Sequence, residues 1–181
     1  MGKKVLILMG SPRKNGNTEI LCEEFARGAS EAGHEVEHIM IRDKDINGCV
    51  ACGACRRNGG TCIQQDDMQP IYELIEAADA IVLGSPIYYY TWSGQMKTVL
   101  DRFYAKSPHL QNKTFYLISA CGAGEEKYTE TMLDTFRKFH VCFRAGGNSE
   151  GGYVFGLGSR EAGDVRGSDA MKKAYEMGRN V

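Results

Sequence analysis

With 181 residues, 43% of them apolar and 25% charged, the chain has the size and balance of one water-soluble globular domain spanning residues 1–181. A formal net charge of −1 leaves no electrostatic footprint for nucleic acid or an anionic membrane, and there is no apolar run of the roughly 18 residues needed to cross a bilayer. The seven cysteines are odd in number and four are clustered, which argues against a secreted disulfide framework. In a reducing, cytoplasmic setting, such a cluster points to metal or redox chemistry.

The first apolar run, Val5-Leu6-Ile7-Leu8-Met9, ends in a turn and leads into a helical pattern, so it predicts a buried strand rather than a signal peptide. The turn is Gly10-Ser11-Pro12-Arg13-Lys14-Asn15-Gly16-Asn17-Thr18, and Ile20, Leu21, Phe25 and Ala26 then recur at helical spacing. A strand, a polar glycine-containing loop and a helix start together present unpaired N–H groups at the positive end of a helix dipole. That is an anion site. Ser11, Asn17 and Thr18 add donors and Arg13 adds a cation, a set suited to a phosphate monoester; the plain alternative is a helix capped by Asn17 or Thr18.

A second strand is expected over Glu35–Ile41. His34-Glu35-Val36-Glu37-His38 matches the zinc-protease pattern H-E-x-x-H. On a strand, however, the two histidines lie about 13 Å apart and cannot share a metal. Residues 42–66 form a polar connection carrying the cysteines. Asp66-Asp67 cap a helix through Ile71, Leu74, Ile75 and Ala78. Ala80-Ile81-Val82-Leu83-Gly84 reads as a central parallel strand, followed by the aromatic loop 85–92 and a helix bearing Met96, Val99, Leu100 and Phe103. A fourth strand, Thr114–Ser119, opens into Ala120-Cys121-Gly122-Ala123-Gly124. A helix through Met132, Leu133 and Phe136 follows, then a fifth strand near Tyr153–Phe155, a loop over 156–168 and a final helix.

Five strand–helix alternations predict an α/β fold, a parallel sheet with helices on both faces. In such sheets ligands sit beyond the carboxyl ends of the strands, where loops 10–18, 85–92 and 120–124 all lie. The chain lacks G-x-G-x-x-G after the first strand and G-x-x-x-x-G-K-[ST] anywhere, so a planar cofactor with one phosphate suits the crevice better than a dinucleotide or ATP.

Gly10-Ser11-Pro12-Arg13, Gly16-Asn17-Thr18, Ser85-Pro86-Ile87-Tyr88, Lys97 and Asp101-Arg102 together resemble the NAD(P)H-dependent FMN reductases of the flavodoxin-like superfamily. The resemblance spans nearly the whole chain. It implies a flavodoxin-like three-layer sandwich with a five-stranded parallel sheet in the order 2-1-3-4-5. By position it also implies that Ser11, Arg13, Asn17 and Thr18 hold the FMN phosphate. Pro86, Ile87, Tyr88 and Tyr89 would edge the isoalloxazine ring, and Ala120, Cys121 and Gly122 would approach it from the third loop. The chemistry implied is hydride transfer from NAD(P)H to FMN, then reduction of a quinone, flavin, nitro or azo compound, or of a redox protein. No catalytic side chain is expected, because the cofactor carries the chemistry and the four histidines are scattered.

A second resemblance lies in Cys49, Cys52, Cys55 and Cys62, spaced C-x2-C-x2-C-x6-C within an insertion at about residues 48–66. It is similar to the loop that carries a [4Fe–4S] cluster in the iron–sulfur flavoproteins, and implies an electron carrier with FMN and a cluster as the alternative function. A plain structural or redox-active segment is the other reading of this loop. Cys22 and Cys142 fall in helical patterns and are expected to be buried packing residues. An aromatic loop beside an exposed ring leads us to expect a homodimer or homotetramer.

Overall fold

The computed structural model describes Gly2–Val181. Five strands form one sheet: β1 (Lys4–Met9), β2 (Glu35–Met40), β3 (Ala80–Pro86), β4 (Thr114–Ala120) and β5 (Ser149–Gly156). They are parallel and in the order β2-β1-β3-β4-β5, as expected. The central strands read as unbroken apolar runs because both of their faces are covered. Leu6, Leu8, Ile81, Leu83, Phe115 and Leu117 point to one face, where α3 (Met68–Ala77), α4 (Gly94–Arg102) and α5 (Glu130–Val141) bury Ile71, Met96, Val99 and Phe136. The alternate residues Val5, Ile7, Val82, Tyr116 and Ile118 point to the other face, against α1 (Asn17–Glu31) and α6 (Asp169–Arg179). The result is three layers.

Helices α1 and α6 approach backbone to backbone. A Cβ on Gly178 would strike the Phe25 carbonyl, and one on Gly28 would strike the Tyr175 carbonyl. This close pairing lets a single helix pair cover one whole face of the sheet. The β4–β5 register slips between Phe115 and Tyr116, and Gly151 absorbs the extra residue where the Tyr116 ring takes up the space of a side chain.

The strand boundaries differ slightly from those expected. Ile41 opens a short 3-10 turn instead of ending β2, and β5 begins at Ser149, inside the glycine-rich stretch. The long connection after β2 carries one short helical turn, α2 (Ala54–Arg57). Among the described residues, no helix is long and apolar enough to cross a membrane. Cys22 is buried as expected. Cys142 is exposed, at the end of α5, and does not contribute to the core.

Candidate flavin site

Because β1 and β3 are neighbours while β2 lies on the far side of β1, successive crossovers diverge at the carboxyl ends of β1 and β3. That is where a crevice opens in such sheets. The loop after β1 begins at Gly10, whose N–H donates to the Gly84 carbonyl at 2.7 Å. A Cβ at Gly10 would lie 2.7 Å from the Met96 Cβ, so only glycine lets the loop settle against α4. Ser93 ties the same corner together. Its hydroxyl donates to the Gly10 carbonyl at 2.7 Å and accepts from the Met96 N–H at 3.2 Å, which caps α4.

Helix α1 starts without a side-chain cap. Gly16 is extended there, and the N–H groups of Gly16, Asn17 and Thr18 make no hydrogen bond to the described residues. Thr18 is largely buried on the cavity wall, and its hydroxyl, which finds no partner among the described residues, is open to the cavity rather than sealed in the interior. Unpartnered donors at a helix N-terminus that line one cavity make a cluster suited to an anionic acceptor. The Ser11 hydroxyl accepts the Arg13 N–H at 3.3 Å and faces the same space. Behind the loop, Glu19 accepts the Asn15 N–H and pairs with Arg42 at 2.7 Å. The charge of the acidic residue of the first turn is thereby offset beside the candidate anion site.

The loop after β3 folds into a two-residue hairpin. Tyr88 and Thr91 exchange backbone hydrogen bonds at 2.9 and 3.1 Å, with Tyr89 and Tyr90 between them at φ 47° and 70°. Two bulky residues in the left-handed region are unusual, since such turns favour Asn-Gly. After β4, the Cys121 N–H donates to Gly156 at 2.9 Å and its thiol donates to the Ala123 carbonyl at 3.5 Å. Burial pushes the Cys121 thiol up, so it stays neutral and is no nucleophile.

The loop after β5 completes the enclosure. The Asn17 side chain, on the cavity wall as expected of a cofactor-binding residue, also holds this loop: its amide donates to the Glu161 carbonyl at 2.7 Å and accepts the N–H groups of Gly163 and Val165. Arg13 donates to the Arg160 carbonyl at 2.9 Å, and the Ser159 N–H donates to the Cys121 carbonyl at 2.8 Å. Four loops are thus knitted around one cavity of about 280 Å³. Its wall contains Ser11, Arg13, Asn17, Thr18, Pro86, Ile87, Tyr88, Ala120, Cys121 and Gly122, together with Ser159 and Arg160. Of the residues expected to bind cofactor, only Tyr89 lies off the wall, 98% exposed at the hairpin tip. Ser159 and Arg160 carry no sequence signal of their own; only their place after the fifth strand could have pointed to them.

The cysteine-bearing segment lies against α3, α4 and the end of α5, on the opposite sheet face from α1. Cys49, Cys52, Cys55 and Cys62 all line a second cavity of about 620 Å³, and Cys142 shares it. The donor set suits a thiolate-bound cluster. The thiols surround the cavity without converging: among the described residues, no group of three His, Cys, Asp or Glu side chains is placed to hold a metal ion. Both ends of the segment are clamped by one buried network. Arg102, 1% exposed, pairs with Asp66 at 2.6 Å and donates to the Asn47 carbonyl and, through Nε, to the Tyr72 hydroxyl. Burial alone would push the Asp66 carboxyl up, but Arg102 and the N–H groups of Asn47 and Met68 hold it below the usual carboxylate range. Burial pushes the Tyr72 phenol up to about 12 despite the neighbouring guanidinium.

Comparison with known proteins agrees with this geometry. Residues 3–148 match the family model described as NADPH-dependent FMN reductase. An iron–sulfur flavoprotein of Archaeoglobus fulgidus is 34% identical, over 98% of this chain and 78% of that protein. Another from Methanocaldococcus jannaschii is 33% identical, over 98% of this chain and 95% of that one. Among solved structures, an NAD(P)H:quinone oxidoreductase from Methanothermobacter marburgensis shares the fold, with a TM-score of 0.77 at 19% identity over 99% of this chain and 97% of that one. The chain belongs to the NADPH-dependent FMN reductase family, and is an oxidoreductase of the flavodoxin-like fold.

Proposed function

We propose that the cavity at the carboxyl edge of β1, β3 and β4 binds FMN, and that the chain uses it to move electrons from NAD(P)H to a quinone, flavin, nitro or azo compound, or to a redox protein. One observation carries this reading: unpartnered donors at the start of α1 open onto the same cavity as the small residues of the third loop and the Pro86–Tyr88 wall. Bound FMN would supply two-electron acceptance of hydride and onward transfer of the electrons. The residues would do the rest. Ser11, Thr18 and the α1 N–H groups would hold the phosphate, with Arg13 beside them as a cation. Pro86, Ile87 and Tyr88 would shield one edge of the ring from water, while Ala120, Cys121 and Gly122 would offer backbone groups to its polar edge. NAD(P)H would dock transiently over the open side. The whole chain would act as one flavin-binding unit with the cysteine segment inserted, working in the cytoplasm. The exposed tyrosine hairpin supports a homodimer or homotetramer.

A second reading has its own support. Four thiols around one cavity, together with relatives named iron–sulfur flavoproteins, favour a carrier in which Cys49, Cys52, Cys55 and Cys62 hold a [4Fe–4S] cluster. Iron, acid-labile sulfide and the visible spectrum of anaerobically purified protein decide between the two. Flavin without iron, with rapid NADPH oxidation, is expected for the plain reductase. Stoichiometric iron and sulfide would establish the carrier, and protein without flavin would overturn both.

A further inference from the structure

Two arginines line the flavin cavity, and their side chains take different directions. Arg13 belongs to the phosphate loop and uses one guanidinium nitrogen on the Arg160 carbonyl. The Arg160 side chain runs away from that contact and lies along the third loop. Its Nε donates to the Gly122 carbonyl at 3.3 Å, and its Cγ sits 3.0 Å from where a Cβ on Gly122 would be. A side chain at 122 would therefore crowd the arginine where it crosses. The two terminal nitrogens of Arg160 make no hydrogen bond to the described residues and form no ion pair with a carboxylate there. The nearby Asp164 carboxylate accepts the N–H groups of residues 160 and 161 at 3.0 and 2.8 Å, which fixes the backbone and leaves the guanidinium uncommitted.

The sheet sets the distance between the two ends of the site. β1, which delivers the phosphate loop, and β4, which delivers Gly122, are separated by β3. Two strand spacings amount to about 10 Å. The Arg160 main chain meets Arg13 of the phosphate loop, whereas its side chain, laid along the β4 loop, is directed to whatever part of the ligand that loop meets. Adding hydride to a neutral flavin ring transfers two electrons and one proton, so a net negative charge remains until a second proton arrives from water. Charge close to the ring is one of the means by which a protein tunes this cofactor.

We infer that Arg160 is the ring-end cation of the site and that it holds the negative charge left on FMN by reduction. It is a positioned electrostatic group, separate from the phosphate ligands. The other ionisable neighbours do not compete for this role: the Cys121 thiol is kept neutral by burial, and the Asp164 carboxylate is occupied by backbone donors. The inference rests on the reading of this cavity as the FMN site.

The test uses the full-length protein with FMN bound, reduced photochemically under argon, and follows its absorbance against pH. Arg160→Gln is expected to raise the pKa of the reduced flavin by about one pH unit, the low end of what an opposite charge at close range provides. Arg160→Lys should recover most of that shift. Arg166→Gln, which removes the same charge from the same loop at a residue outside the cavity wall, should leave it unchanged. Binding of FMN and of riboflavin is measured on the same variants. An unshifted pKa in Arg160→Gln overturns the inference. So does a loss of FMN affinity with riboflavin unaffected, since that would make Arg160 a phosphate ligand. Failure of the wild-type protein to bind flavin would instead overturn the reading of the cavity, and the inference with it.

Discussion

In the proposed FMN site, Thr18 is the side chain whose commitment to the ligand is most directly tested. It is the second residue of α1, largely buried, and its hydroxyl has no partner among the described residues and faces the cavity. Replacing it by valine keeps the shape and removes only the donor. A hydrogen bond to a charged group is worth about 1.5 kcal/mol or more, so Thr18→Val should weaken FMN binding roughly tenfold and leave riboflavin binding nearly unchanged. Fluorescence titration with the two flavins measures this, and an equal loss for both would exclude a phosphate contact. That Thr18, Ser11 and Arg13 would share one cavity wall was legible in the sequence, because a polar loop between an apolar strand and an amphipathic helix brings its side chains to one strand end. Asn17 was legible as a donor at that position but not as the clasp on the loop after β5. Its partners, Glu161, Gly163 and Val165, lie more than a hundred residues further along the chain and meet it only once the sheet has formed. Arg160 and Ser159 were hidden for the same reason.

At the scale of elements, the hairpin Tyr88–Thr91 is the least self-explanatory piece of the fold. Its two central tyrosines sit in a backbone region that costs an L-residue about 1–2 kcal/mol, and Tyr89 gains no burial in return within the subunit. Tyr90 has one aromatic neighbour, Tyr128, with ring centroids 6.4 Å apart. Local strain and exposed aromatic surface together make sense if another surface covers them, as in the proposed homodimer or homotetramer. The pair Tyr89→Asn, Tyr90→Gly supplies the residues this turn prefers, so the subunit should fold at least as well as before. Light scattering of the double variant should then show monomer where the parent protein shows an oligomer. An unchanged oligomer would remove the hairpin from the interface, and a monomeric parent would remove the interface itself. In the sequence the aromatic run was visible, but the turn was not: no glycine or asparagine marks it, and Tyr89 was expected against the ring, not at the tip.

Across the whole molecule, the Asp66–Arg102–Tyr72 network joins the cysteine segment to two helices that cover the sheet. Asp66 was expected to cap α3, and its carboxylate does accept the Met68 N–H at 3.1 Å. Its pairing with Arg102 on α4 is tertiary and left no local trace, although Asp101-Arg102 stood out in the family resemblance. The carboxyl is held below its usual range, so the stabilisation is fully present above the unfolded value of about 4 and is lost as pH falls through the lower, folded value. Asp66→Asn removes the charge and leaves the Arg102 guanidinium buried and unpaired, a change that typically costs about 3–5 kcal/mol. Urea denaturation at neutral pH should therefore show a loss of that order, and the variant should lack this component of the parent's acid sensitivity. Because the same carboxylate also accepts the Asn47 N–H, cleavage by a dilute protease should move into residues 48–65 before the sheet unfolds. If the variant loses stability without early cleavage there, Asp66 supports the helices and the segment is anchored by its other contacts, including the Gln69 amide on the Cys62 carbonyl.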